Sequence, residues 1–325
     1  MKKITIIMPF LNEEREPIET IKSIYATASP ELFDIIAIDD ASEHPMDPVR
    51  FQPYREVTHI RNANRLGVDG SRQNGAMMAK TPFIFIIDAH MRFKNDQWLE
   101  GIIECLEREP ETAWCTTCLG LGYGTMDLES HKGKYYGADM LFVDEKATSD
   151  RPAREVLEPK WKPQQQGVEY EIPCILGANY GFSTKWFNHI RGLSGLKMWG
   201  TSEPFLSMKT WMAGGKCKIR TDIQIGHKFR SNAPYVTKIP KLIYNKIFMC
   251  KTIFPKELSD ALIDCLTKDV NFSQAMRDIE VNRDMIEENR QYYQSIFKKP
   301  IYEYCDKFDI KLPEGIKGRE IGNGE

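Results

Sequence analysis

Phe83-Ile84-Phe85-Ile86-Ile87-Asp88-Ala89-His90 decides the fold of this 325-residue chain. Five apolar residues in a row suit a strand buried on both faces, the kind found in parallel sheets covered by helices. The run then stops at a carboxylate and an imidazole. Two earlier strand candidates end the same way: Ile4–Pro9 runs on to Asn12-Glu13, and Asp34–Asp39 ends in Asp39-Asp40. Val57–Asn62 reads as another strand. Helix patterns cover Pro17–Ala28, Gly70–Ala79 and Asp96–Glu109. Proline's fixed φ suits the opening turn of the first. Asp96 is a good N-cap for the third, which puts Trp98, Ile102, Cys105 and Leu106 on one face. This alternation predicts an α/β fold with a mainly parallel sheet flanked by helices. Ligands of such sheets gather at the carboxyl ends of the strands, where the polar groups stand.

Further along, Trp114–Leu119 reads as a strand and Gly120–Gln166 as an irregular, acceptor-facing stretch. Order returns at Ile172–Thr184 and in a helix near Glu203–Ala213, which Gly214-Gly215 closes. After Pro240 the pattern becomes helical, with Pro255–Thr267 and Ser273–Phe297, so residues 1–240 and 241–325 are expected to divide the chain. Hydrophobic residues make up 42% and charged residues 28%, as in an ordinary globular protein. A net charge of −2 argues against a nucleic-acid coat. No apolar run approaches the roughly 18 residues of a membrane span. Eight scattered cysteines suit reduced thiols and a cytoplasmic setting. Cys115 and Cys118 form a lone CxxC, better read as packed thiols than as half a zinc site.

Several groups can carry chemistry. Alternate residues of an extended chain point the same way, so Asp88 and His90 can present a carboxylate and an imidazole to one borderline divalent ion. A capped strand end with a solvated histidine is the plain alternative. His227, beside an apolar strand, is either a third ligand or a packed imidazole. Arg230 and Tyr235 offer the donors that suit a diphosphate. Gly67-Val68-Asp69-Gly70-Ser71-Arg72 opens a helix and can approach an anion, although it is neither a Walker A loop nor GxGxxG. In Trp199-Gly200-Thr201-Ser202-Glu203-Pro204, Glu203 is either a general base or a first-turn acid behind a Thr201 or Ser202 cap.

In order and spacing these pieces resemble the nucleotide-sugar glycosyltransferases of GT-A (Rossmann-like) fold. The closest likeness is to the catalytic domain of the polypeptide N-acetylgalactosaminyltransferases and to the broader family 2. Four blocks carry it: Thr5–Glu13, Ile36–Ser42, Asn64–Trp98 and Ile175–Tyr235. The resemblance implies a UDP-sugar donor and Mn2+ (or Mg2+) held by Asp88, His90 and His227. It places Pro9, Glu13 and Asp40 at the nucleotide, with Arg72, Arg230 and Tyr235 at the diphosphate. Gly177 and Ala178 fall beside the sugar and Trp199 in the same donor site.

The acid of the Trp-Gly turn stands one place later than in those relatives, where inverting enzymes keep their base. Inversion with Glu203 as base is therefore favoured. Ala178 replaces a glycine, which bears on which hexose fits. A nucleotidyltransferase is the rival enzyme, but Leu11-Asn12-Glu13-Glu14 is acidic where it would be basic and Gly-rich. A degenerate, non-catalytic sugar or nucleotide binder is the other. The acceptor is expected to be a glycan or lipid-linked glycan first, a protein second, and a modified DNA base third. A basic patch at Lys238, Lys241 and Lys246 keeps that third choice open.

Overall fold

The computed structural model describes residues 1–122, 131–143, 152–176, 179–229 and 235–316. Strand β1 (Ile4–Phe10) leads through helix α1 (Glu16–Thr27) to β2 (Phe33–Asp39). Then β3 (Val57–Arg61) is followed by α2 (Val68–Met78) and β4 (Phe83–Ile87). These four strands lie in the order β4-β1-β2-β3, all parallel. β1 and β4 are buried throughout, which is why their Ile and Phe residues run on without polar alternation.

Beyond β4 come β5 (Met91–Phe93), α3 (Trp98–Arg108), β6 (Thr112–Leu121) and β7 (Lys134–Tyr135). β8 (Ala138–Val143) and β9 (Val156–Trp161) form a separate antiparallel pair. β10 (Glu169–Glu171) and β11 (Asn179–Ser183) precede α4 (Thr184–His189), α5 (Ser202–Met212) and β12 (Lys216–Lys228). Antiparallel β11 joins β4 to β6, and β6 pairs in parallel with β12. The sheet is thus parallel on one side and mixed on the other.

An apolar core lies on each face. One is built from α1 and α3 side chains such as Ile21, Ile24, Leu99 and Ile102. The other gathers α5, α6 (Ile239–Ile253), α7 (Lys256–Leu266), α8 (Phe272–Val281), α9 (Arg283–Ile296) and α10 (Ile301–Lys307) through Phe205, Ile247, Leu262, Tyr293 and Tyr304. Each fully buried side chain of this size contributes about 1.5–3 kcal/mol. No described helix is long and apolar enough to cross a membrane.

Three expectations need correction. The stretch Gly120–Gln166 is not uniformly irregular. β8 buries Ala138, Met140 and Phe142 at every second position, a period masked in the sequence because Leu141 and Val143 on the other face are apolar too. Asp96 does not cap α3. Gln97 turns at a left-handed φ of 73° with no side-chain cap, and the helix starts at Trp98. The indole of Trp98 packs on Phe85 and Phe93 and donates to Thr27 at 3.1 Å, so burial sets that start. Ser273–Phe297 is two helices. Asn282 separates α8 from α9, its side-chain amide donating to the Asp278 carbonyl at 2.6 Å. The bend lets both helices lie against α6. All eight cysteines are free thiols, Cys115 and Cys118 among the buried ones.

Candidate active site at the carboxyl edge of the sheet

The turn Asp88–His90 leaves the end of β4, and β5 returns antiparallel to β12 with His227 opposite Met91. The backbone N–H of Lys228 donates to the His90 carbonyl. This pairing carries His227 to the turn. One ligand atom each from Asp88, His90 and His227 then falls within 4.8 Å of the others. A carboxylate with two imidazoles is a donor set suited to a borderline divalent ion such as Mn2+. His227 Nε2 is 3.3 Å from Asp88 Oδ2, and Glu13 Oε1 is 3.4 Å from His90 Nδ1. That outer carboxylate is the usual partner of a ligand imidazole.

The turn is fastened from behind. Thr20, fully buried on α1, has its hydroxyl 2.8 Å from the Ala89 carbonyl, and the same oxygen accepts the Met91 N–H. Glu16 accepts from both Lys228 and Arg92. Neither residue stands out in the sequence, because a Thr and a Glu inside a helix signal nothing without the turn they meet.

Arg72 links the triad to the other acid. Its guanidinium donates to Asp88 at 2.9 Å and to Glu203 at 3.1 Å. Burial alone would raise the Asp88 carboxyl. The His227 hydrogen bond and the charges of Arg72 and the two imidazoles overcome it, holding Asp88 well below the usual carboxylate range. Burial raises Glu203 and Asp88 adds to it, against Arg72, so Glu203 lies above the usual range. Two acids beside one guanidinium are driven in opposite directions.

A cavity of about 350 Å³ opens between these groups. Pro9, Glu13, Asp40, Arg72, Asp88, His90, Trp199, Glu203 and Tyr235 all line it, although they come from separate segments of the chain. Asp40 also orders the loop before α2, accepting from the N–H groups of Leu66 and Gly67 and from Asn62 and Ser71. Gly67, at φ 84°, passes so close to Met198 that a Cβ would sit 2.0 Å from its Cα. Arg65 lines the same cavity with its guanidinium 5.4 Å from the Tyr235 ring. Its neighbourhood of Asn and Leu gives no motif to flag it in the sequence. Gly177, Ala178 and Arg230 lie outside the described residues. Of the basic patch, Lys241 pairs with Asp278, and Lys246 is buried against Glu158.

A half-parallel nucleotide-type sheet with a carboxylate–imidazole cluster at its carboxyl edge is the GT-A arrangement. The model of the family described as "Glycosyl transferase family 2" matches residues 5–191, and the chain belongs to that family. It is homologous to the polypeptide N-acetylgalactosaminyltransferases. Number 4 of Caenorhabditis elegans is 24% identical over 246 residues, 72% of this chain and 40% of that one. Number 10 of Homo sapiens is 26% identical over 247 residues, 73% and 39%. The chain therefore spans about two fifths of the length of these relatives. Among solved structures, GalNAc-T7 with UDP, GalNAc and Mn2+ superposes with a TM-score of 0.72 at 17% identity, covering 94% of this chain and 57% of that one. The S. aureus TarS 1-349 complex with UDP-GlcNAc gives 0.56 at 11%, covering 97% and 98%. Both likenesses establish the fold.

Proposed function

We propose that this chain is a metal-dependent glycosyltransferase that moves a sugar from a UDP-sugar to an acceptor hydroxyl with inversion. The observation that carries the reading is the meeting of Asp88, His90 and His227 at one point, with Asp88 and His90 lining the same cavity as an Arg72-held Glu203. Asp88, His90 and His227 would hold Mn2+, which when bound neutralises charge on a diphosphate. The likeness to GalNAc-T7 with UDP, GalNAc and Mn2+ supports that choice of nucleotide and metal. Pro9, Glu13 and Asp40 would seat the uridine. Arg72, Arg230 and Tyr235 would serve the diphosphate, and Gly177, Ala178 and Trp199 the sugar. Glu203, raised by burial, would accept the acceptor's hydroxyl proton, a task best done by an acid whose pKa lies nearer the working pH.

A glycan acceptor fits better than DNA, because Lys241 and Lys246 are spent on Asp278 and Glu158. Eight free thiols support a reducing, cytoplasmic setting. Residues 1–240 would supply the chemistry and 241–325 the support beneath it.

Incubation with a panel of UDP-sugars, with and without Mn2+, tests this. Slow metal-dependent hydrolysis of one donor is expected. Release of pyrophosphate from a nucleoside triphosphate would instead mark a nucleotidyltransferase. UDP binding without turnover of any donor would mark a mere binder.

A further inference from the structure

Asp69 is an acid for which the proposed sugar transfer has no use. It occupies the first turn of α2 and is fully buried. Its backbone N–H donates to the Met198 carbonyl at 3.2 Å. One carboxyl oxygen, Oδ1, accepts the hydroxyl of Ser202, the residue just before Glu203. The other, Oδ2, meets no hydrogen-bond partner among the described residues. One helical turn on, Arg72 holds Glu203. Thr201, which opens α5, takes a left-handed φ of 76°, so the turn carrying Glu203 needs outside support.

We propose that Asp69 is a positioning residue for Glu203, fixing the Thr201–Glu203 turn through Ser202 while leaving Arg72 to the two acids of the cavity. The inference rests on Glu203 being the base. A bare carboxylate with one oxygen sealed from water and unbonded is strongly disfavoured. A proton on that oxygen removes most of the cost. Burial pushes the Asp69 carboxyl up, Arg72 and Ser202 pull it back, and Glu203 pushes again, leaving it at about 7. The charged and titratable groups around it are Arg72 on its own helix, Glu203 on α5 and Tyr180 on β11, with Asp88 at the end of β4 reaching it through Arg72. At about 7 the group is divided between its two forms near neutral pH, and in the neutral form Arg72 is shared by Asp88 and Glu203 alone. An ionised Asp69 would compete for Arg72 and repel Glu203, turning the base into an acid that keeps its own proton.

The test uses the full chain carrying Asp69→Ala, Asp69→Asn or Ser202→Ala. Asparagine keeps the size and an oxygen for Ser202 without the charge. Asp69→Ala is expected to lower kcat about tenfold with donor KM within about twofold, and Asp69→Asn to restore most of it. Ser202→Ala, which leaves Asp69 in place, should fall between them and serves should the alanine variant not fold. NMR titration of the Glu203 carboxyl supplies a readout independent of turnover. Its midpoint should move in Asp69→Ala and stay near wild type in Asp69→Asn. An unmoved Glu203 titration in Asp69→Ala, or an asparagine variant as impaired as alanine, overturns the proposal. A wild-type chain inactive on every donor overturns the transferase reading instead, and the titration still decides the role of Asp69.

Discussion

The backbone N–H of Lys228 reaches the carbonyl of His90 at 3.1 Å. This one bond extends the β5–β12 ladder past the strand, and with it two distant segments share a single cluster of ligand atoms. The proposed metal site is therefore a product of sheet register, and its integrity is open to measurement.

His227→Ala removes one of three ligands from a nearly buried position. Mn2+ affinity should fall at least about tenfold, read by calorimetric or paramagnetic titration, while the fold persists. Chelation of the wild type should abolish turnover, and added Mn2+ should return it. Affinity unchanged by this substitution would remove His227 from the ligand set.

Glu203→Gln retains the size of the proposed base and its contact to Arg72 but cannot accept a proton. A fall in kcat of about a hundredfold or more is expected with donor KM little changed, from steady-state kinetics. The anomeric proton coupling of the product should report inversion. Retention would assign Glu203 another task.

Gly67→Ala places a methyl group where Met198 Cα already stands, at a φ of 84° that alanine resists. A loss of about 2 kcal/mol or more is expected in denaturant melts. UDP affinity should fall as well, since the same loop lines the cavity.

Glu16 makes acid sensitivity predictable. Burial would raise its carboxyl, but Lys228 and Arg92 overcome this and hold it below the usual range. A lowered acid contributes stability above its unfolded value, roughly 4.3, and loses it as pH falls through the folded value. Glu16→Gln should cost about 2 kcal/mol at neutral pH, since it removes two charge-assisted hydrogen bonds, to Lys228 and Arg92. Melts in chelator from neutral pH downward should show that gap closing below about pH 4. A gap that widens on acidification would contradict this.

The sheet was legible because β1 is nearly all apolar and β4 spells out double burial in unbroken Ile and Phe, running straight on to Asp88. His227 could be chosen over a packed imidazole only by likeness, since nothing along β12 reveals that it pairs with β5. Arg65, Thr20 and Glu16 escaped for the same reason. Each acquires its meaning from a partner far away in sequence, across the Tyr235 ring, the Ala89 carbonyl or the Lys228 ammonium. The β8–β9 pair was hidden by the Gly, Pro and charged residues around it. The Asn282 break was hidden because one asparagine costs a helix interior less than about 0.7 kcal/mol, too little to mark a boundary.

Helix α6 lends Leu242 to the cavity lining and pins Glu158 through the buried Lys246, while α8 and α9 lean on its other side. Trimming the polypeptide near residue 238 would thus not release a smaller, self-sufficient enzyme. It would leave one wall of the reaction chamber without backing and Glu158 without the side chain that holds it.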